Sequence, residues 1–162
     1  AVLTNSVLMG AYEVRKELFS ADFVIAKMDS FSAETLQVMN RPAPGIEFGD
    51  ILEGIKSFKK NFKGKFALQI MLIGEELFLN REGLTKFAYL ANYIKPDEMQ
   101  VNTPLRPCTV KPLAKEEVVR IRDSFAETCK GINVVSVFDE RAAEHVVSLS
   151  DDDTLKRRGK VH

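Results

Sequence analysis

The chain has 162 residues, 45% of them hydrophobic, and 23 basic residues balanced by 23 acidic ones. That length and composition suit one globular domain with a real core and exclude global disorder. A net charge of zero gives no general attraction to nucleic acid or membrane.

Five short β-type runs follow one another. They are Val2–Asn5, Phe23–Asp29, Phe66–Ile73, Met99–Thr103 and Ile132–Phe138. Helical patterns lie between them, at about 11–20, 33–40, 48–62, 83–94 and 115–130. In the third, Ile51, Leu52, Ile55, Phe58 and Phe62 recur at helical spacing, with Lys56, Lys59 and Lys60 largely on other faces. Ser32 before Ala-Glu-Thr fits an N-cap. Gly64 and Gly131 each follow a lysine near the end of a helical pattern, which marks helix stops. Arg41-Pro-Ala-Pro-Gly45 separates the second and third patterns and predicts a loop. Beyond about Leu149 the periodicity gives way to the charge blocks Asp151–Asp153 and Lys156–Lys160. The expected organisation is a domain over 1–148 and a charged, mobile tail over 149–162.

Strand–helix alternation at this spacing predicts an α/β fold with a mainly parallel sheet of about five strands. The runs 23–26 and 66–73 are almost wholly apolar, as strands covered on both faces are. In such folds, ligands bind beyond the carboxyl ends of the strands.

Polar residues interrupt the strands. Residues two apart share a face, so Lys27 and Asp29 form one pair and Gln100 and Asn102 another. Gln69 is a lone amide in an apolar strand, and Asn5 ends the first run. If the sheet is a barrel wall, Asn5, Lys27, Asp29, Gln69, Gln100 and Asn102 can all face inward and line a polar lumen. The plainer readings stand beside this one: a solvated Lys27–Asp29 pair, and core amides at Gln69 and Gln100 with structural partners. Arg41 and Arg106 each precede a proline on a stiffened loop, which suits either an anionic ligand or a backbone carbonyl. The methionines read as core filler. Glu75-Glu76 reads as a solvated loop.

Several motifs are absent. The sequence has no Gly-x-x-x-x-Gly-Lys-Ser/Thr loop and no Gly-x-Gly-x-x-Gly fingerprint. His145 and His162 offer no metal cluster, so no metal ligand is expected in this chain. Cys108 and Cys129 do not make a disulfide framework, which points to a reducing, cytoplasmic setting. No apolar run approaches the roughly 20 residues of a membrane span.

The chain resembles the later part of a radical S-adenosylmethionine (SAM) iron–sulfur enzyme. The branch it resembles is that of the Fe–S oxidoreductases that include the tRNA wybutosine-synthesis enzymes. The resemblance runs in order over residues 2–138. It is carried by Leu3-Thr-Asn-Ser6, Asp22-Phe-Val-Ile-Ala-Lys-Met-Asp29, Glu34-Thr-Leu followed by Met39-Asn-Arg-Pro42, Ile51-Leu-Glu-Gly-Ile-Lys-Ser-Phe58, Leu68-Gln-Ile-Met-Leu-Ile73 and Val101-Asn-Thr-Pro-Leu-Arg-Pro107.

The resemblance implies a partial (β/α) barrel, curved, with helices on its outer face. It also implies two cofactors, SAM and a [4Fe–4S] cluster. Reductive cleavage of SAM would generate a 5′-deoxyadenosyl radical. The cluster's Cys-x3-Cys-x2-Cys loop and the Gly-Gly-Glu-like segment that binds SAM are not in this chain. The first run therefore corresponds to the family's third strand, and the chain alone is expected to be inactive. By resemblance, Asn5, Lys27, Asp29, Ser30, Gln69, Met71, Asn102 and Thr103 contribute to the cofactor site, and Arg41 and Arg106 to substrate binding. Gly74-Glu-Glu-Leu-Phe departs from the family's usual Gly-x-Asn-type turn after its fifth strand. The substrate, a small molecule or an RNA, is not named by the sequence. Self-association through an open barrel edge is expected. The alternative is a stand-alone α/β module that binds a nucleotide-like ligand without a cluster.

Overall fold

In the computed structural model, residues 1–74, 79–105 and 109–139 are described. Among them, five strands form a single parallel sheet in the order β1-β2-β3-β4-β5. The strands are β1 (Val2–Thr4), β2 (Phe23–Lys27), β3 (Lys65–Met71), β4 (Glu98–Asn102) and β5 (Asn133–Ser136). Helices α1 (Tyr12–Leu18), α2 (Ala33–Asn40), α3 (Phe48–Asn61), α4 (Arg81–Ile94) and α5 (Lys115–Thr128) connect them. This is an α/β fold of partial-barrel type. The expected strands are all present, most of them a residue or two shorter than the apolar runs. Arg106, Cys108, Glu75-Glu76, both histidines and the charged tail lie outside the described residues.

Helix and strand follow from separate local causes. Helix α3 places Ile51, Ile55 and Phe58 on one buried stripe. Ser32 caps α2 as the sequence predicts: its hydroxyl accepts the Thr35 N–H, while Thr35 Oγ1 accepts the Ser32 N–H. Asn80 caps α4 by accepting the Gly83 N–H at 2.8 Å. That cap starts α4 two residues before the apolar pattern does.

One face of the sheet carries Val24, Ala26, Phe66, Leu68, Ile70, Met99 and Val101, all buried. These join Ile55, Phe58, Phe87, Leu90, Val118, Ile121 and Phe125 from the helices in one core. Phe58 stacks on Phe19 and Phe62 and meets Phe66 at a tilt. The opposite face is different. Phe23, Ile25, Lys27, Gln69, Met71, Asn102 and Val135 on it are only half-buried. The expectation that β2 and β3 are covered on both faces is thus corrected. One face packs on helices; the other is half-open, apolar at Phe23 and Ile25 and polar toward the strand ends, with Ala67, Glu98 and Gln100 buried on it.

A close backbone approach sets the height of α3 over β1. A Cβ on Gly54 would lie 2.7 Å from the backbone nitrogen of Gly10. The loop after β1 can sit on α3 only because that position is glycine.

Candidate functional site

The register explains how the polar residues meet. Lys27 pairs with Gln69, and Gln69 with Gln100. Met71 pairs with Asn102. Register partners in a parallel ladder point the same way, and so do residues two apart. Lys27, Gln69, Met71, Gln100 and Asn102 therefore share the half-open face, and Lys27 holds Asp29 beside it.

At the β2 tip, Lys27 Nζ lies 3.1 Å from Asp29 Oδ2. The other oxygen, Oδ1, accepts the Met71 N–H at 3.0 Å. Burial raises the Asp29 pKa, and the Lys27 charge and these hydrogen bonds oppose the rise. The carboxylate therefore has a structural task as well.

Beside this pair is a cavity of about 510 Å³. Asn5, Lys27, Asp29 and Ser30 form its polar wall, with Asn40 and Arg41 on the α2 side. Leu36, Ile46, Phe48 and Ile51 are among the residues of its apolar wall. Arg41 is an exposed, left-handed C-cap of α2 at φ 44°. It is thereby turned out of the helix at the point where the chain enters the proline loop. Five of the sequence-derived site residues, Asn5, Lys27, Asp29, Ser30 and Arg41, thus border one cavity.

The others are distributed differently. Gln69, Met71 and Asn102 stand on the open face outside that cavity's lining. Asn102 Oδ1 is buried with no hydrogen-bond partner among the described residues. Thr103 is buried, and its hydroxyl accepts the Leu113 N–H at 2.9 Å. It fastens the segment after β4. Asn5 Oδ1 accepts the Val7 N–H at 3.3 Å, a local turn bond. Ser6, at φ 70°, is fully buried and donates its hydroxyl to the Lys27 carbonyl at 2.8 Å. This bond ties the β1 tip to the β2 tip.

Glu98 and Gln100 are what the sequence reading undervalued. Both are buried, and Gln100 Nε2 donates to Glu98 Oε1 at 2.8 Å. Gln69 Nε2 donates to Gln100 Oε1 at 2.9 Å. The two-residue spacing of Glu98 and Gln100 is visible in the sequence. The lateral pairing with Gln69 is not.

Among the described residues, no group of three or more His, Cys, Asp or Glu could hold a metal ion. Cys129 is buried at the end of α5, against the Ala88 carbonyl, far in the fold from the strand tips. No helix among the described residues is long and apolar enough to cross a membrane.

No family model matches the chain. It is 38% identical over 115 residues to the UPF0026 protein slr1464 of Synechocystis sp., which covers 71% of this chain and 41% of that protein. It is 31% identical over 163 residues to the UPF0026 protein MJ1312 of Methanocaldococcus jannaschii, covering 93% of this chain and 50% of that protein. A third relative, the GTPase Obg of Brachyspira hyodysenteriae, is 28% identical over 158 residues, covering 95% of this chain and 23% of its own. The chain spans half or less of the length of each of these curated relatives.

Among solved structures, it is similar to a domain of pyruvate-formate lyase-activating enzyme from Bacteroides vulgatus. The TM-score is 0.62 at 12% identity, over 81% of this chain and 77% of that one. A radical SAM methyltransferase from Sphaerobacter thermophilus gives 0.60 at 14% identity, over 83% of this chain and 39% of that one. The chain thus shares its fold with parts of radical SAM enzymes.

Proposed function

We propose that this chain supplies the later strands of a radical SAM barrel and that its half-open face binds S-adenosylmethionine. The observation that carries the reading is the placement of Lys27, Asp29, Gln69 and Asn102 on one face, at or near the carboxyl ends of parallel strands. That is where parallel α/β enzymes bind their ligands. The fold shared with radical SAM enzymes supports it.

The residues present fit SAM. Asn102 Oδ1 is a buried acceptor without a partner among the described residues, which suits a ligand hydroxyl or amine. Asp29 offers acceptors for further hydroxyls, and Lys27 a cation for the methionyl carboxylate. Ser30 and Met71 would shape the same site. The residues described do not fit a [4Fe–4S] cluster, because they include no set of three thiolates. Bound there, SAM would supply hydrogen-abstraction chemistry, and this chain's residues would bind and orient it. Arg41, at the edge of the 510 Å³ cavity, is proposed to take an anionic group of the substrate. Membership of the Fe–S oxidoreductase and wybutosine-like branch, a small-molecule or RNA substrate, and a cytoplasmic setting rest on the resemblance. The likeness to Obg brings no GTPase reading, since the sequence has no phosphate-binding loop of that type.

Titration calorimetry with SAM tests the proposal. Asp29→Ala is expected to weaken binding by about tenfold or more, from a charged hydrogen bond of about 1.5–3 kcal/mol. Asp29→Asn keeps an acceptor for Met71 and separates the loss of charge from the loss of the tip bond. Failure of the unaltered protein to bind SAM overturns the reading.

A further inference from the structure

The half-open face carries a polar row whose direction is set by its buried end. Lys65 Nζ lies 2.8 Å from Glu98 Oε2. Glu98 Oε1 accepts from Gln100 Nε2 at 2.8 Å, and Gln100 Oε1 accepts from Gln69 Nε2 at 2.9 Å. Glu98 and Gln100 are 8% and 2% exposed, so water does not readily replace either partner. A carboxylate paired with an ammonium has only acceptors to offer. Gln100 must therefore turn its NH2 toward Glu98 and its oxygen toward β3. Gln69 must then turn its NH2 toward Gln100. The Gln69 carbonyl oxygen is left over, presented on the half-open face. Its register neighbour Lys27 is engaged by Asp29 at 3.1 Å. Asn102, diagonal to Gln69 on the next strand, adds the partnerless Oδ1.

We infer that Glu98 and Gln100 are positioning residues that lock Gln69 as a hydrogen-bond acceptor. The face would then select a ligand group that donates, such as an amine or a hydroxyl, over one that only accepts. Lys27 pairs with Asp29 and Lys65 with Glu98, so among the described residues the acceptors beside Gln69 are its own carbonyl oxygen and Asn102 Oδ1. This rests on the reading of the half-open face as the SAM site. It adds to that reading the direction of the hydrogen bonds and two residues that need not touch the ligand.

The probes are S-adenosylhomocysteine and two analogues that each lose a donor: its inosine counterpart, in which the 6-amino group becomes a carbonyl, and the form with both ribose hydroxyls methylated. The unaltered protein is expected to bind at least one analogue about tenfold more weakly than the parent. Glu98→Gln lets the row reverse, and that discrimination should fall to about threefold or less. Adding Gln100→Glu to Glu98→Gln restores an acceptor-only group opposite Gln69, and the discrimination should return. A purely structural role for the row predicts no such rescue, because the double variant is altered at both positions. The side-chain ¹⁵N resonances of Gln69 and Gln100 should shift in the single variant and revert at Gln69 in the double. If S-adenosylhomocysteine does not bind the unaltered protein, the SAM reading fails and this inference with it. If it binds and discrimination is the same in all three proteins, the inference alone is overturned.

Discussion

The Asp29 carboxylate accepts the backbone N–H of Met71 at 3.0 Å, joining the tip of β2 to the last residue of β3. This bond continues the ladder sideways where the strand register ends at Lys27 and Gln69. Burial is the largest effect on the Asp29 pKa and raises it; Lys27 and the Met71 N–H offset the rise only in part. Replacing Asp29 by Ala leaves the Met71 N–H without its partner, at an expected cost of about 1–3 kcal/mol. Asp29→Asn keeps an acceptor and should cost less. The sign with pH follows from the raised pKa. Ionisation is harder in the folded state, so Asp29's contribution is fully present below the ordinary value of 3.8 and declines as pH rises through the raised folded value. Urea denaturation from pH 4 to pH 7 should show Asp29→Asn gaining on the unaltered protein as pH increases. A constant difference would refute the assignment.

Asp97 behaves in the opposite sense. Burial acts to raise its pKa. Its hydrogen bonds with Lys59 and the Phe66 N–H, and the charges of Lys59 and Lys65, together outweigh burial and lower it. The lowered pKa means that its stabilisation is present above 3.8 and is lost as pH falls through the folded value. The side chain is 46% exposed, so the ion pair itself is screened. Asp97→Ala should cost about 1 kcal/mol at neutral pH, mostly from the Phe66 N–H, and progressively less in acid. Chemical denaturation at pH 7 and pH 3 compares the two.

Gly54→Ala should be among the more damaging single changes on α3. Helix propensity alone would favour it by roughly 1 kcal/mol. The added methyl would instead stand 2.7 Å from the Gly10 nitrogen and 3.1 Å from its Cα, and backbone cannot rotate away as a side chain can. A net loss of about 1–3 kcal/mol is expected from overpacking. A thermal melt showing Gly54→Ala more stable than the parent would refute the close approach.

Ser32→Ala should cost about 1 kcal/mol, within the usual range for losing an N-cap. The change removes the acceptor of the Thr35 N–H and the hydroxyl contact with Thr35 Oγ1, while the backbone N–H groups of residues 31 and 32 keep Thr35 Oγ1 as their acceptor. Since α2 leads into Arg41, loosened helix ends should also broaden the Asn40 and Arg41 amide resonances. Stability loss without that broadening would mean that the cap and the cavity wall are independent.

The order of strands and helices was legible in the sequence because it depends on local matters. Apolar periodicity, the Ser32 cap and the Arg41–Gly45 loop each act within a few residues. The parity of Lys27 with Asp29, and of Gln100 with Asn102, is likewise a property of any extended chain. What only the tertiary structure decided was lateral. Register set Gln69 beside both Lys27 and Gln100, and it gave the Asp29 carboxylate a backbone partner in Met71. The fold also gave the Thr103 hydroxyl a backbone partner in Leu113, ten residues on. Which partners Gln100 takes, Glu98 and Gln69, was undecidable from β4 alone. Hydrogen bonds between strands are made by residues about 30 to 40 apart in the chain, and no local preference encodes which will meet. The packing of helices on one face chose the register, and the register chose the partners.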